Sequence, residues 1–434
     1  MPNKVLLHPA DVDSAMGAVT QLGGRLLVRI GNHLLVEFPD GVTAPTLADA
    51  SITAGTVADL VNRAWQQPRP ELAPVPYQKW DTPGFTPPAG IVPDEDLLTD
   101  GGFALLSTDT ETSRYLIGSV AVGFVIVSRD QGVEQFTQAE TITTIAEVLE
   151  GLAFLAQEEP RAQVSFDVDI RLVTVNAQPG PDPSVTNPYE QFERGWRDAA
   201  LADLGYTAGR AGSRAYAKHL QQNRNTAWSF VAYFTKYPLN HFAYAGQERL
   251  VMDYANDGWG PNRINQVFAH ELCHVFGAAD EYGGCKCGSR HGHLLAPNNN
   301  CTNCVETQVP CLMDGNVLSL CTWSRQQIGW DNEVLNMRTF MQSVVVGPGA
   351  NPPHNKGHHD YTFTPPNSTR VLGGWWSLQE DASGSDAFKE FVIGGNSGSD
   401  NNTPTINANS ITFRVAKKDN TSGKIRILFC VLYV

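Results

Sequence analysis

Apolar positions recur every second residue in some stretches of the chain and every three to four in others, and the switches between the two periods outline its elements. Lys4 to His8 is a short strand, Pro9 to Gln21 a helix, and Arg25 to Ile30 and His33 to Phe38 are strands joined at Gly31-Asn32, a favourable hairpin turn. Thr56 to Gln66 is a second helix. Further on, Tyr115 to Val127 is a strand rich in Val, Ile and Gly, and Thr137 to Ala156 places Ile142, Ile145, Ala146, Leu149 and Leu152 at helical spacing. Val164 to Val175 alternates as a strand, helices follow near 190–203 and 210–222, and Trp228 to Phe234 is again a strand. His241 to Ala245 and Arg249 to Tyr254 are short strands around Gly246, and Trp323 to Trp330 is a short helix. Strands alternating with helices in this way predict a layered α/β domain.

These periods divide the chain. Residues 1–66 form a small α+β unit. Residues 67–101 carry eight prolines between Pro68 and Pro93 and read as an extended, semi-rigid linker, or a strap laid across the next domain. The α/β domain occupies 102–340. From about 341 to 434, Gly, Asn, Ser and Thr separate short strands such as Ile411 to Val415 and Ile425 to Leu432, which predicts a C-terminal antiparallel β-domain. Modules of that kind bind glycans or proteins, and nothing in the sequence chooses between these partners.

Composition narrows the function. With 434 residues and 42% hydrophobic content there is enough for packed cores. The net charge is −14 and no Lys/Arg cluster occurs, which argues against a nucleic-acid partner. No apolar run approaches the length of a membrane span. The first residues, Met1 to Pro9, lack the apolar region and cleavage site of a signal peptide. The cysteines point the other way. Six of the eight, Cys285, Cys287, Cys301, Cys304, Cys311 and Cys321, fall in one segment. Such a cluster reads as a disulfide-stapled loop of an exported or extracellular protein, or else, from its first two pairs, as a Cys₄ structural zinc site.

The candidate chemistry lies at His270-Glu271-Leu272-Cys273-His274-Val275-Phe276-Gly277-Ala278-Ala279-Asp280. On a helix, His270 and His274 stand one turn apart, so both rings reach one ion. Glu271 projects beside them, placed to take a proton from water without occupying a coordination position. Gly277 lets the chain leave the helix through a left-handed residue, and the turn brings Asp280 back as third ligand. Two neutral nitrogens and a carboxylate suit Zn²⁺. His291 and His293, farther along, are alternatives to Asp280. By chance, H-E-x-x-H should appear about 0.01 times in such a chain. The surroundings agree with a working helix: Gly258-Trp259-Gly260-Pro261 supplies a start, and Ile264, Phe268, Leu272 and Val275 form an apolar stripe opposite the histidines.

Residues 270–280 resemble the extended zinc signature of the metzincin metallopeptidases, in the form with an aspartate third ligand seen in snapalysin-like enzymes. The resemblance covers roughly residues 115–335. It implies a metzincin-like catalytic domain in the 102–340 segment, zinc as cofactor, and a methionine-bearing turn beneath the metal, for which Met313 in Cys311-Leu312-Met313-Asp314-Gly315 is the matching residue. Several metzincins place a tyrosine two residues after that methionine. Here Gly315 stands there, so no tyrosine is assigned to oxyanion stabilisation. The resemblance also implies that Phe242, Ala243, Tyr244 and Ala245 form the sheet edge that pairs with an extended substrate, since a strand edge offers N–H and C=O groups to a peptide. By analogy with secreted peptidases, residues 1–66 would be a pro-segment; an accessory unit is the other reading.

The expected activity is zinc-dependent hydrolysis of protein or peptide substrates, with Glu271 as general base. The alternatives are a binding or adhesion protein with a structural metal, and a metal hydrolase of non-peptide amides.

Overall fold

The structure is a computed structural model and describes residues 3–67, 77–89, 112–246, 248–305, 308–331, 335, 338–347, 357–364, 371–381, 391–394, 405–406, 410–417 and 425–433. Residues 68–76 and 90–101 of the predicted linker lie outside the described residues. The chain divides into two compact units, Met1–Asp331 and Asn332–Val434.

The first unit is built on one mixed sheet. Its strands are β1 (Asn3–Leu7), β2 (Arg25–Ile30), β3 (His33–Phe38), β4 (Ser119–Arg129), β5 (Ser165–Val175), β6 (Trp228–Thr235), β7 (Ala243–Ala245) and β8 (Arg249–Asp253), in the order β1-β3-β2-β5-β4-β6-β8-β7. β2, β5, β4, β6 and β8 run parallel to their neighbours in that order, and β7 closes the edge antiparallel to β8. The middle strand explains itself. β4 reads Ser-Val-Ala-Val-Gly-Phe-Val-Ile-Val-Ser-Arg, and every residue from Val120 to Val127 is buried, as a strand covered on both faces requires.

Helices cover the two faces. Ala121, Val125 and Val127 pack with Trp196 of α4 (Pro188–Asp203) and Tyr216 of α5 (Gly209–Arg224). Gly123 admits that layer, because a Cβ there would lie 2.8 Å from the Tyr216 ring. The opposite face carries α3 (Gln138–Glu158), whose start is fixed by a capping box between Thr137 and Glu140. On Phe234 of this face packs Phe268 of α6 (Ile264–Val275), the helix bearing the histidine pair. α3 and α6 approach closely because Gly151 has no side chain; a Cβ there would meet the Asn265 carbonyl oxygen at 2.9 Å.

Residues 1–66 do not stand apart from the central domain. They fold as the periodicity predicts, including α1 (Val12–Gln21) and α2 (Val57–Gln66), but Val28 and Arg29 pair with Phe166 and Asp167 of β5, extending the central sheet. The physical reason is the edge of β5, which would otherwise leave its backbone groups unpaired.

The second unit, among its described residues, holds two antiparallel sheets. One has β9 (Arg338–Val346), β15 (Ile425–Tyr433) and β11 (Val371–Asp381); the other has β10 (Gly357–Phe363), β14 (Ile411–Lys417) and β12 (Phe391–Gly394), with β13 (Thr405–Ile406) on β14. Ile425, Ile427, Phe429 and Val431 alternate along β15 and share a core with Tyr361, Phe363, Ile411 and Phe413 of the other sheet. The predicted C-terminal β-rich segment is therefore a two-sheet sandwich.

Candidate metal centre

Two short 3₁₀ turns, Asp257–Trp259 and Pro261–Arg263, lead into α6, all twelve of whose residues are buried. The helix ends in a Schellman motif. Gly277 takes φ +95°, its N–H donates to the His274 carbonyl (2.9 Å), and the Ala278 N–H donates to the Cys273 carbonyl (3.0 Å). The chain then turns back and brings Asp280 to the two rings.

His270 Nε2 and His274 Nε2 lie 3.0 Å apart, and Asp280 Oδ1 is 3.2 Å from the first and 3.1 Å from the second. The other nitrogens settle the tautomers. His270 Nδ1 donates to the Leu312 carbonyl (3.0 Å) and His274 Nδ1 to the Ala278 carbonyl (2.8 Å). With both Nδ1 hydrogens committed, each neutral ring presents a bare Nε2 lone pair. Three acceptors then point at one spot, an arrangement that repels itself unless a cation sits among them. Burial disfavours charge on both rings, yet Asp280 raises His274 to about 9, and His274 in turn holds the Asp280 carboxyl far below its ordinary value. The donor set of two imidazoles and one carboxylate suits Zn²⁺.

Glu271 is fully buried, and neither of its oxygens has a hydrogen-bond partner among the described residues. Burial, reinforced by Asp280, raises its carboxyl to about 8 although His274 acts the other way. A buried carboxyl without a donor is costly in a fold and is typical of a group kept for chemistry.

Met313 is buried in the turn after Leu312, and its carbonyl accepts the Glu281 N–H (2.9 Å). Leu312 thus orients His270 while Met313 anchors the residue after Asp280. The same turn carries a contact with the Pro-rich segment. Lys79 pairs antiparallel with Gly315, Trp80 N–H donates to the Asp314 carbonyl (3.0 Å), and Trp80 Nε1 donates to the Leu312 carbonyl (2.6 Å). Trp80 is fully buried, with its ring 5.5 Å from that of His270. This contact also accounts for Gly315: a Cβ there would meet the Gln78 carbonyl oxygen at 2.5 Å, so no tyrosine fits.

A cleft of 580 Å³ opens beside His274 and Asp280, with Pro87, Pro88, Ala89 and Tyr282 on its walls. Ala243, Tyr244 and Ala245 form β7, the terminal strand of the sheet, with Phe242 immediately before it. This edge is not free at every position. Ala89 N–H donates to the Ala243 carbonyl (3.0 Å), whereas the Phe242 carbonyl faces the inner neighbour β8 and accepts the Asp253 N–H (2.7 Å). The Tyr282 hydroxyl donates to the Pro88 carbonyl (2.8 Å), fixing the segment there. His291 lines the cleft with its Nε2 bonded to Ser289 Oγ (2.7 Å), and neither it nor His293 joins the ligand group.

The cysteine-rich loop closes with two disulfides, Cys285–Cys301 and Cys287–Cys304, which use the four sulfurs of the alternative Cys₄ site. Cys273, Cys311 and Cys321 are buried free thiols. The disulfides indicate an oxidising environment. No helix among the described residues is long and apolar enough to cross a membrane.

Trp80, Ala278 and Leu312 are the positions packed on or bonded to the two rings that the motif alone does not reveal. The last two act through carbonyls, which any residue supplies, and Trp80 stands in sequence only as an aromatic within a proline-rich stretch. Neither the models of known protein families nor the curated proteins contain a match to this chain.

Proposed function

We propose that this protein is a zinc-dependent endopeptidase of metzincin type, acting outside the cell. The observation that carries the reading is the convergence of His270 Nε2, His274 Nε2 and Asp280 Oδ1 within 3.2 Å, beside a buried carboxyl with no hydrogen-bond partner among the described residues. Zn²⁺ held there supplies Lewis acidity toward the scissile carbonyl and acidifies water. Glu271 accepts the proton of the attacking water and returns it to the leaving amine. Its dry surroundings favour the neutral form that delivers the proton, and a cation at the neighbouring ligand atoms would favour the carboxylate that accepts it. The Leu312 and Ala278 carbonyls hold the rings so that Nε2, not Nδ1, faces the ion.

A peptide substrate is favoured over other amides by the edge strand. The hydrogen bond from Ala89 to the Ala243 carbonyl is of the kind an extended peptide makes on a sheet edge next to the cleft. Incubation of the zinc-loaded protein with unfolded protein substrates, with and without a chelator, tests the reading. Cleavage abolished by the chelator and restored by zinc is the expected result; no cleavage under any metal loading contradicts it.

A further inference from the structure

A second set of ligand atoms converges close in sequence to the first but without sharing a residue. Glu281, Cys311 and Cys321 bring one carboxylate oxygen and two sulfurs to within 4.8 Å of one another, and all three residues are buried. The sulfurs face hydrogen-bond donors. The backbone N–H groups of Met313 (3.4 Å) and Cys321 (3.3 Å) donate to Cys311 Sγ, and that of Ser324 (3.4 Å) donates to Cys321 Sγ. Burial pushes the Cys311 thiol up, and donors aimed at sulfur act the other way, toward the thiolate that a cation would need.

Glu281 poses the matching question from the other side. It has no exposure, and among the described residues no cationic side chain forms an ion pair with it. Its oxygens accept instead from the Cys321 thiol (2.9 Å), Ser324 Oγ (2.7 Å) and Asn300 Nδ2 (2.6 Å). A buried acid ringed by thiols and hydroxyls lacks only positive charge. The two contacts at Glu281 Oε1 are hydrogen-bond lengths that an ion would have to open, while the separations at Ser324 already suit it. Ser324 Oγ is 3.4 Å from Cys311 Sγ and 3.6 Å from Cys321 Sγ. Those separations are close to the roughly 3.6 Å sulfur–oxygen edge of a tetrahedron with bonds of about 2.3 and 2.1 Å.

We propose that Glu281, Cys311 and Cys321 hold a structural Zn²⁺, with Ser324 Oγ or a water at the fourth position. Binding releases the two thiol protons, and the ion takes the place of the Cys321 S–H donor at the Glu281 carboxylate. A disulfide between Cys311 and Cys321 is the competing outcome. It would leave three N–H groups aimed at neutral sulfur and deprive Glu281 of a donor. The ion ties the residue following Asp280 to the turn whose Leu312 carbonyl orients His270, so its role is to fix that turn. The proposal does not depend on the peptidase reading.

The test uses the full chain produced in cobalt-supplemented medium. The His270 centre contains no sulfur, so a sulfur-to-cobalt charge-transfer absorption reports only the second site. The band is expected in the wild type and in His270→Ala, and is expected to vanish in Cys321→Ser. With zinc, the wild type is expected to carry two ions per chain. Should Cys321→Ser fail to fold, the wild-type spectrum and a non-reducing peptide digest still decide. Absence of the band from cobalt-loaded wild type, its survival in folded Cys321→Ser, or a cross-linked Cys311–Cys321 peptide, overturns the proposal.

Discussion

His270 donates from Nδ1 to the carbonyl of Leu312, 42 positions along the chain, at 3.0 Å. Trp80 Nε1 donates to the same oxygen at 2.6 Å. One backbone carbonyl therefore links the histidine helix, the Met313 turn and the proline-rich segment, and it turns Nε2 of His270 toward Asp280. The placement of the ring depends on how α6 is seated, which gives the first prediction.

Gly151→Ala is expected to destabilise the protein, while Gly17→Ala stabilises it. A Cβ at 151 would lie 2.9 Å from the Asn265 carbonyl oxygen and Phe268 Cδ1, whereas nothing lies within 4 Å at 17. Overpacking costs about 1–3 kcal/mol, which exceeds the ~1 kcal/mol that replacing a helical glycine recovers. At Gly17 only the gain remains. Denaturant midpoints check both, and Gly151→Ala should also weaken metal binding. Equal shifts in the two variants would show that the α3–α6 contact is slack.

A second prediction concerns acid. His33 stacks on His8 with ring centroids 4.1 Å apart, and burial together with His8 lowers its pKa from 6.5 to about 4. The unfolded chain therefore takes up this proton first as the pH falls. The stability linked to His33 is complete above about 6.5, declines as the pH drops through that value, and levels off near 4. Denaturant midpoints between pH 7 and 5 should fall in the wild type and fall less in His33→Gln. Identical slopes would remove His33 from the acid response.

The N-terminal residues yield a third. Deleting residues 1–66 unpairs β5 at Phe166 and Asp167 and removes the buried Leu60, Val61 and Ala64 of α2. Exposed strand edges and apolar faces promote aggregation, so the truncated chain is expected to aggregate. Cleavage at a site engineered within 68–76 should leave both fragments associated on size exclusion. A soluble, monomeric 67–434 chain would show that the pairing with β5 is dispensable.

These cases show which features the sequence discloses. His270 and His274 are legible because their relation is local, one helical turn, and Gly277 announces the Schellman turn that returns Asp280. β4 is legible because eight consecutive buried positions leave a near-continuous apolar run. What escapes is set by distance along the chain. The pairing of Val28 with Phe166 merges the N-terminal strands into the central sheet, and no local period encodes it. The same holds for Trp80 on Leu312. The cysteine cluster discloses a stapled loop, but which sulfurs join depends on a fold that brings Cys285 to Cys301 and leaves Cys311 and Cys321 as thiols beside Glu281.

The most direct measurement is the zinc content and peptide-hydrolysis rate of Glu271→Gln beside the wild type. Glu271 does not belong to the group of converging ligand atoms, so the variant should keep its zinc, and without a proton acceptor its hydrolysis should fall by a factor on the order of 10²–10⁴ or more. A Glu271→Gln protein that retains zinc and hydrolyses peptides at the wild-type rate would contradict the account.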